Sequence, residues 1–193
     1  SPVQHLSERI AMYLSPPLFP VRLEDLASNT MFHDAPEAGV TIGSATIRAA
    51  KVAHQGPTVG YRIEEHGRTF VYLPDHEPSL GTDLATVPAA WMSGHDLARD
   101  ADVLLHDGQY RDQEYPAHVG WGHSGVGDAM EFADKANVAK LVLFHHDPYH
   151  TDDELETLLA DARASRPGMD DRISLAYEGM TIVFDDAGVT TLA

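Results

Sequence analysis

The sequence contains no cysteine, which excludes disulfide bonds and thiolate metal sites. A metal ion bound by this chain would therefore need histidine and carboxylate ligands, which suit zinc, manganese or iron. The sequence also lacks any apolar run of the length of a membrane span, and no apolar leader precedes Ser1. We therefore expect a cytoplasmic protein.

Basic residues are scarce. The 193 residues include 13 Lys and Arg against 30 Asp and Glu, which gives a formal net charge of −17. A field of this sign repels nucleic-acid backbones, so a nucleic-acid partner is not expected. A small anionic substrate is still compatible with this charge, because bound metal ions can reverse the local sign.

Histidine, in contrast, is abundant, with 12 in the chain. The segment Lys140–His150, KLVLFHHDPYH, begins as an apolar strand and then changes abruptly to three histidines and an aspartate. In α/β sheets, binding sites form where strands give way to loops at their carboxyl ends. Taken by itself, the segment favours a metal site and a His-rich polar loop about equally.

Polar clusters follow several other predicted strands. The first half of the chain is predicted to be a strand meander, and the second half alternates strands and helices. The length allows one domain or two small ones. Convergence of several strand ends on one cleft is typical of a functional site. The strand-end clusters are His54, Asp75 to Glu77, His106 to Asp107, and His145 to His150.

Two helix starts are predicted close to these clusters. Ser124 can cap a helix whose apolar residues recur at i, i+3, i+4 and i+7, and a capping box is predicted at Thr151–Glu154. The loop before the first of these helices carries Tyr110, Tyr115 and Trp121, which we interpret as loop anchors rather than as a substrate platform.

Five segments together resemble the metallo-β-lactamase-fold hydrolases. They are VAHQGPTVGYRIEE, FVYLPDHE, LLHDGQY, WGHSG and LVLFHHDP, in this order. The resemblance is to the branch of ribonuclease Z, the phosphodiesterase for phosphonate-pathway cyclic phosphates, and the cyclic-nucleotide phosphodiesterase-like proteins. It implies a single partial metallo-β-lactamase-like domain over residues 1–193. The implied fold is α/β, a four-layer αβ/βα sandwich with two divalent metal ions, zinc first among them, at its edge.

The resemblance also implies roles for four residues. His54, Asp75 and His145 correspond to metal ligands, and Asp75 corresponds to the carboxylate that bridges the two ions. His123 corresponds to a histidine that acts on the phosphate as a general acid, so His123 and Asp75 are the implied catalytic residues. The implied function is phosphodiester hydrolysis of a small molecule by a hydroxide that the two metals activate.

One departure from the family pattern is large. The sequence has no His-x-His-x-Asp-His motif, which supplies most of the family's metal ligands and lies upstream of the segments above. We therefore expect the first strands of the fold to be missing, the ligand set to be incomplete, and a homo-oligomer or a complementing N-terminal fragment to cover the core. Two alternatives stay open: a tRNA-processing nuclease of the same fold, and a non-catalytic partial domain that acts in protein association.

Overall fold

The chain divides into two compact units, Ser1–Asp34 and Ala35–Ala193. None of the helices described is long and apolar enough to cross a membrane. The computed structural model describes residues 5–35, 37–166, 171–185 and 188–192.

The N-terminal unit contains a helix, α1 (Leu6–Tyr13), and a 3-10 turn at Leu23–Asp25. The spacing of Leu6, Ile10 and Leu14 is typical of a helix and agrees with α1. No residue of α1 is buried. The helix therefore contributes no buried side chain to a core.

The second unit is built on a seven-stranded mixed sheet whose strands lie side by side in chain order. The first four strands pair antiparallel, and the last four pair parallel. The meander and the alternating half predicted from the sequence are thus joined in one sheet. The strands are β1 (Val40–Ile42), β2 (Ala45–Val52), β3 (Thr58–Glu65), β4 (Arg68–Leu73), β5 (Val103–Asp107), β6 (Lys140–Phe144) and β7 (Ile173–Leu175).

Local sequence explains the hairpin between β3 and β4. His66 and Gly67 both have positive φ, 49° and 74°, as a two-residue hairpin turn of the favoured kind requires. Along β4 the side chains alternate, and Thr69, Val71 and Leu73 are buried on one face. This hairpin is part of the strand meander predicted for the first half of the chain.

Three helices connect the strands: α2 (His95–Ala98), α3 (Val126–Lys135) and α4 (Asp152–Ser165). The predicted apolar stripe of α3 is buried, and α4 begins at the predicted capping box of Thr151 and Glu154. Their apolar faces cover the sheet and form the core. Two further strands, β8 (Thr181–Asp185) and β9 (Gly188–Leu192), pair as a separate hairpin.

The predicted cap of α3 by Ser124 is wrong. The helix begins after Gly125, and no side chain caps it. The Ser124 hydroxyl instead donates to the carbonyl of His76 at 2.6 Å, on a segment 48 residues away, and Ser124 is completely buried. A tertiary partner thus replaces the local one, because a buried hydroxyl must find a hydrogen bond.

The direction of the strands explains why distant residues meet. Since β2 and β4 both run antiparallel to β3, and β5 and β6 run parallel to β4, all four of these strands end at the same edge of the sheet. The residues at or just after these ends are His54, Asp75, Asp107 and His145.

Candidate metal centre

Five strand-end and loop side chains form one cluster. The potential ligand atoms of His54, Asp75 and His123 lie within 4.8 Å of one another, and so do those of Asp107, His123 and His145. Asp75 and His145 are also in contact, with 3.6 Å between Oδ1 and Nε2. The structure therefore brings together all four residues that the family resemblance singles out.

His54 is oriented by the backbone of a distant loop. Its Nδ1 donates to the carbonyl of Gly122 at 2.8 Å, which leaves Nε2 with a free lone pair. Histidines that bind metals are commonly fixed in this way, because a carbonyl partner on one ring nitrogen sets the tautomer and aims the other nitrogen. His54 thus has the arrangement expected of a ligand.

His145 lies at the abrupt end of β6. Its backbone has φ of 60°, a left-handed conformation that is uncommon for residues other than glycine. Such strain persists where the surrounding structure imposes it, and it is frequent at binding sites. The turn directs the chain out of the sheet immediately after Phe144 and leaves the imidazole of His145 half-buried beside Asp75.

Asp75 occupies the middle of the cluster. It belongs to one candidate ligand group together with His54, and it contacts His145 on the other side. The Asp75 side chain is partly accessible to solvent. Its charge is therefore not buried without a partner, and an ion can reach its oxygens. Asp75 therefore lies next to His54 and His145, the other two residues that the resemblance names as metal ligands.

His123 is held by a buried carboxylate. Its Nδ1 donates to Oδ2 of Asp107 at 2.6 Å, and the Asp107 side chain is completely buried. Burial by itself would lower the pKa of His123, but the hydrogen bond and the charge of Asp107 outweigh it and raise this pKa above its ordinary value of 6.5. A protonated imidazole at this place can donate a proton from Nε2.

Asp107 is the residue that sequence reasoning missed as a site residue. Its cluster of His106 and Asp107 at a strand end was noted, but the two residues were given no role. The available signal was the same one that led to His145, an apolar strand that ends abruptly in polar residues. The structure shows that Asp107 ends β5 and reaches His123.

Glu77 is a second buried carboxylate near the cluster, and it holds the loop from Tyr115 to His123. Its Oε1 accepts from the Gly120 N–H at 2.7 Å and from the Tyr115 hydroxyl at 2.9 Å, while Oε2 accepts from the Gly122 N–H at 2.7 Å. Glu77 is completely buried. Its charge is therefore stabilised by three donors, as a buried carboxylate requires.

A pair of buried histidines lies next to Asp75 and Asp107 in the chain. Nδ1 of His76 and Nε2 of His106 are 2.8 Å apart, and Nδ1 of His106 donates to the backbone carbonyl of Asp107 at 2.6 Å. Burial lowers the pKa of both histidines, so both rings are neutral near pH 7. The two neutral rings therefore add no positive charge next to the cluster.

A cavity of about 710 Å³ lies beside the cluster, and His145 and His146 are among the residues that line it. Nε2 of His146 donates to the carbonyl of Ala176 at 3.2 Å, and His146 belongs to neither candidate ligand group. Of the clustered residues His145 lines this cavity, which therefore adjoins one side of the cluster.

The donor set fits divalent metal ions. It consists of imidazole nitrogens and carboxylate oxygens, which zinc, manganese and iron accept, and one imidazole has its second nitrogen fixed by a carbonyl. The two groups of potential ligands share His123, so a ligand role and an acid role for His123 are alternatives.

Comparison with known proteins places the chain in a family. Residues 2–146 match the family model described as a beta-lactamase superfamily domain. Two archaeal proteins named ribonuclease Z are similar to the chain: that of Methanosarcina acetivorans is 34% identical over 97 residues, and that of Thermoplasma volcanium is 37% identical over 98 residues. The matches cover 50% and 51% of this chain, but only 28% of each relative.

Solved structures agree on the fold. The metallo-beta-lactamase fold protein YhfI from Bacillus subtilis superposes with a TM-score of 0.57 at 20% identity, over 81% of this chain and 53% of YhfI. A diphosphatase from the PhnP family superposes with a TM-score of 0.51 at 19% identity, over 76% of this chain and 46% of that protein. The metallo-β-lactamase fold predicted from the sequence is confirmed.

Proposed function

We propose, from the premise that this chain belongs to the beta-lactamase superfamily domain family, that it carries part of the active site of a metal-dependent phosphodiester hydrolase. The observation that supports this most directly is the meeting of His54, Asp75, His123 and His145 at one edge of the sheet. These residues come from four separate segments, and no local packing requirement of any one segment would bring four polar groups together.

In this proposal His54, Asp75 and His145 would hold the metal ions. Two divalent ions bound there would activate water and neutralise the phosphoryl oxygens. His123 faces the same point and donates a proton to the leaving oxygen from Nε2. Asp107 keeps that nitrogen aimed at the substrate, because it binds the other nitrogen of the ring.

Zinc binding tests the ligand assignment. Competition with a chromophoric chelator should show that Asp75→Ala weakens zinc binding by more than about 100-fold, the upper end of what loss of a merely supporting residue costs. His66→Asn is the matched control, because His66 lies in the exposed β3–β4 turn and asparagine tolerates its positive φ. Equal zinc binding by all three proteins would contradict the assignment.

Hydrolysis of bis(4-nitrophenyl) phosphate with added zinc or manganese tests the reaction. In a version of the protein with the complete family ligand set, the variant His123→Ala should lower turnover by about 10²-fold, the scale of general acid catalysis, and keep its zinc content. Loss of zinc in this variant would make His123 a ligand instead. A zinc-loaded chain without any hydrolysis would favour the non-catalytic alternative.

The second candidate is a tRNA-processing nuclease. It is favoured by the similarity to proteins named ribonuclease Z, and it is opposed by the net charge of −17. A direct comparison of a precursor tRNA with a small phosphodiester decides between them. Under our proposal the small diester is hydrolysed and the precursor tRNA is not.

A further inference from the structure

Backbone hydrogen bonds, rather than packing of its largest side chain, hold the loop that precedes α3. The sequence predicts Trp121 as a loop anchor, but this residue is 56% exposed. Tyr110 is 4% exposed and the Tyr115 hydroxyl is hydrogen-bonded to Glu77, so the two tyrosines are the anchors among the three aromatic residues. The position of the chain around Trp121 therefore depends on other contacts.

These contacts converge on the carboxylate of Glu77. The N–H groups of Gly120 and Gly122 each donate to it at 2.7 Å, and both glycines have positive φ, 84° and 98°. Two amide groups on either side of one residue thus point at a single anion, an arrangement related to the backbone concavities that bind anions in proteins. Here the anion is a completely buried side chain of the same protein.

Glu77 is connected to His54 by two separate paths. In the first, Gly122 donates its N–H to Glu77 and accepts, through its carbonyl, from Nδ1 of His54 at 2.8 Å. In the second, the backbone N–H of Glu77 donates at 2.9 Å to the carbonyl of Ala53, the residue directly before His54. The imidazole of His54 and the backbone next to it are therefore both tied to Glu77.

The link through Gly122 determines which nitrogen of His54 can bind a metal ion. A carbonyl can only accept a hydrogen bond, so Nδ1 carries the proton and Nε2 keeps its lone pair. If the Gly122 carbonyl moved away, the ring could rotate and either nitrogen could carry the proton. Groups that fix the tautomer of a metal-binding histidine typically contribute about 10-fold to 100-fold in metal affinity.

A carboxylate is the side chain that suits this position. Three donors meet at Glu77, namely the two glycine N–H groups and the Tyr115 hydroxyl, and an ionised carboxylate accepts hydrogen bonds without offering a donor of its own. Glutamine has the same shape, but its NH₂ group would face an N–H group. The contacts of Glu77 therefore require its charge as well as its size.

We propose that Glu77 is a positioning residue of the metal centre: its carboxylate holds Gly122, and the Gly122 carbonyl keeps His54 in the tautomer that binds metal. This inference rests on the proposed function, because it takes His54 to be a ligand. Every contact between Glu77 and His54 lies within the protein. The ligand is therefore arranged before an ion binds.

Two variants separate positioning from general stability. Glu77→Gln sets an NH₂ group against a glycine N–H, and its zinc affinity in chelator competition should fall by about 10-fold to 100-fold. Tyr115→Phe is the matched control, because it removes a donor of the same carboxylate that lies outside the path to His54. Tyr115→Phe should lower the urea midpoint, since a hydrogen bond to a buried carboxylate is lost, and leave zinc affinity unchanged.

NMR spectroscopy provides a readout that a merely structural role would not change. Long-range ¹H–¹⁵N spectra of the metal-free protein, at a pH at which the imidazole is neutral, report the tautomer of His54. The wild type and Tyr115→Phe should show only the Nδ1–H form, and Glu77→Gln should show both forms. In the wild type, the amides of Gly120 and Gly122 should exchange slowly with deuterium, which tests the proposal even if Glu77→Gln does not fold.

Fast exchange of both glycine amides in the wild type, or equal zinc affinities and an unchanged His54 tautomer in the two variants, would overturn the proposal. Failure of the proposed function has a different signature, since Asp75→Ala would then bind zinc as tightly as the wild type. If Asp75→Ala loses zinc while Glu77→Gln keeps it, the metal centre stands and only the positioning role of Glu77 is refuted.

Discussion

His123 donates from Nδ1 to Oδ2 of Asp107 at 2.6 Å, and Asp107 is completely buried at the end of β5. The same carboxylate accepts three backbone N–H groups, from His76 at 3.2 Å and from Gln109 and Ser124 at 3.1 Å each. Four donors for one carboxylate tie the ends of β4 and β5 to the loop that carries His123. Asp107 thus both stabilises the site and orients His123, the proposed acid.

Asp107→Asn should destabilise the protein. An amide NH₂ would replace one carboxylate oxygen and would face N–H donors that then lack an acceptor. Leaving a buried donor without an acceptor costs about 1–3 kcal/mol. Urea unfolding at pH 7 measures the difference. Asp161→Asn, on the exposed side of α4, is the control and should change the free energy of unfolding by less than about 0.5 kcal/mol. Equal effects of the two changes would contradict this account.

Gly122→Ala should disturb the position of His54. A Cβ at Gly122 would lie 2.3 Å from Nδ1 of His54, and the residue has φ of +98°. Gly120 is a matched control, because its φ is +84° but a Cβ there would have no heavy atom within 4 Å. Both variants lose stability because alanine is strained at positive φ.

Only Gly122→Ala should lose zinc affinity, by about 10-fold to 100-fold, because the Gly122 carbonyl orients His54, a proposed metal ligand. Chelator competition on both glycine variants at the same pH provides the measurement. If Gly120→Ala lost as much zinc affinity as Gly122→Ala, backbone strain rather than the contact with His54 would be responsible.

Asp128 predicts a pH-dependent contribution to stability. Burial raises its pKa above the ordinary 3.8, the neighbouring charges of Asp112, Asp83 and Glu77 raise it further, and the hydrogen bond from Ser79 opposes them. Between pH 3.8 and the raised pKa, the folded state binds the proton more tightly than the unfolded state. The stability that this proton contributes is therefore complete below pH 3.8 and is lost as the pH rises through the folded-state pKa.

Asp128→Asn removes this titration. Its amide oxygen can still accept from Ser79, whose hydroxyl donates to Asp128 at 2.7 Å in the wild type. The difference in urea midpoint between the variant and the wild type should therefore shift in favour of the variant as the pH rises from 4 to 7. A difference that stays constant over this range would show that the buried carboxyl does not titrate as described.

From the exposed apolar side chains of the N-terminal unit we predict self-association. Several of its large apolar side chains are exposed, which is unusual for a short segment of a monomeric protein. We expect light scattering to give a mass above the 21.1 kDa of one chain, and Leu18→Ser with Met31→Ser to reduce it. A monodisperse monomer, with a single polypeptide by intact mass spectrometry, would contradict this prediction. The exposed side chains include Leu6, Met12, Tyr13, Leu18 and Met31.

Much of the framework could be predicted from the sequence, because it depends on short-range patterns. The hairpin at His66 and Gly67 and the capping box at Thr151 are formed by residues within a few positions of one another. Apolar strands that end in polar residues indicated His54, Asp75 and His145 as candidate site residues. The order of these motifs indicated the family, and the match to the family model confirms it. The ligand roles of these residues stay predictions.

Other features of the site follow from tertiary contacts alone. Ser124 was predicted to cap a helix, and it bonds to His76 instead. In the sequence, Glu77 is one member of a polar cluster. In the structure it is completely buried and accepts a hydrogen bond from Gly122, 45 residues further along the chain. Nothing in either local sequence specifies these partners.

The sequence by itself determined the chemistry available to this protein: no thiolate ligands, an acidic surface, and histidines and carboxylates at the ends of strands. Only the tertiary structure decided which of these groups act together. The physical reason is that a buried hydroxyl or carboxylate takes whichever donor or acceptor the fold brings within hydrogen-bonding distance. Asp107 therefore pairs with His123, and Trp121 stays exposed, because of where β5 ends and where Glu77 holds the loop.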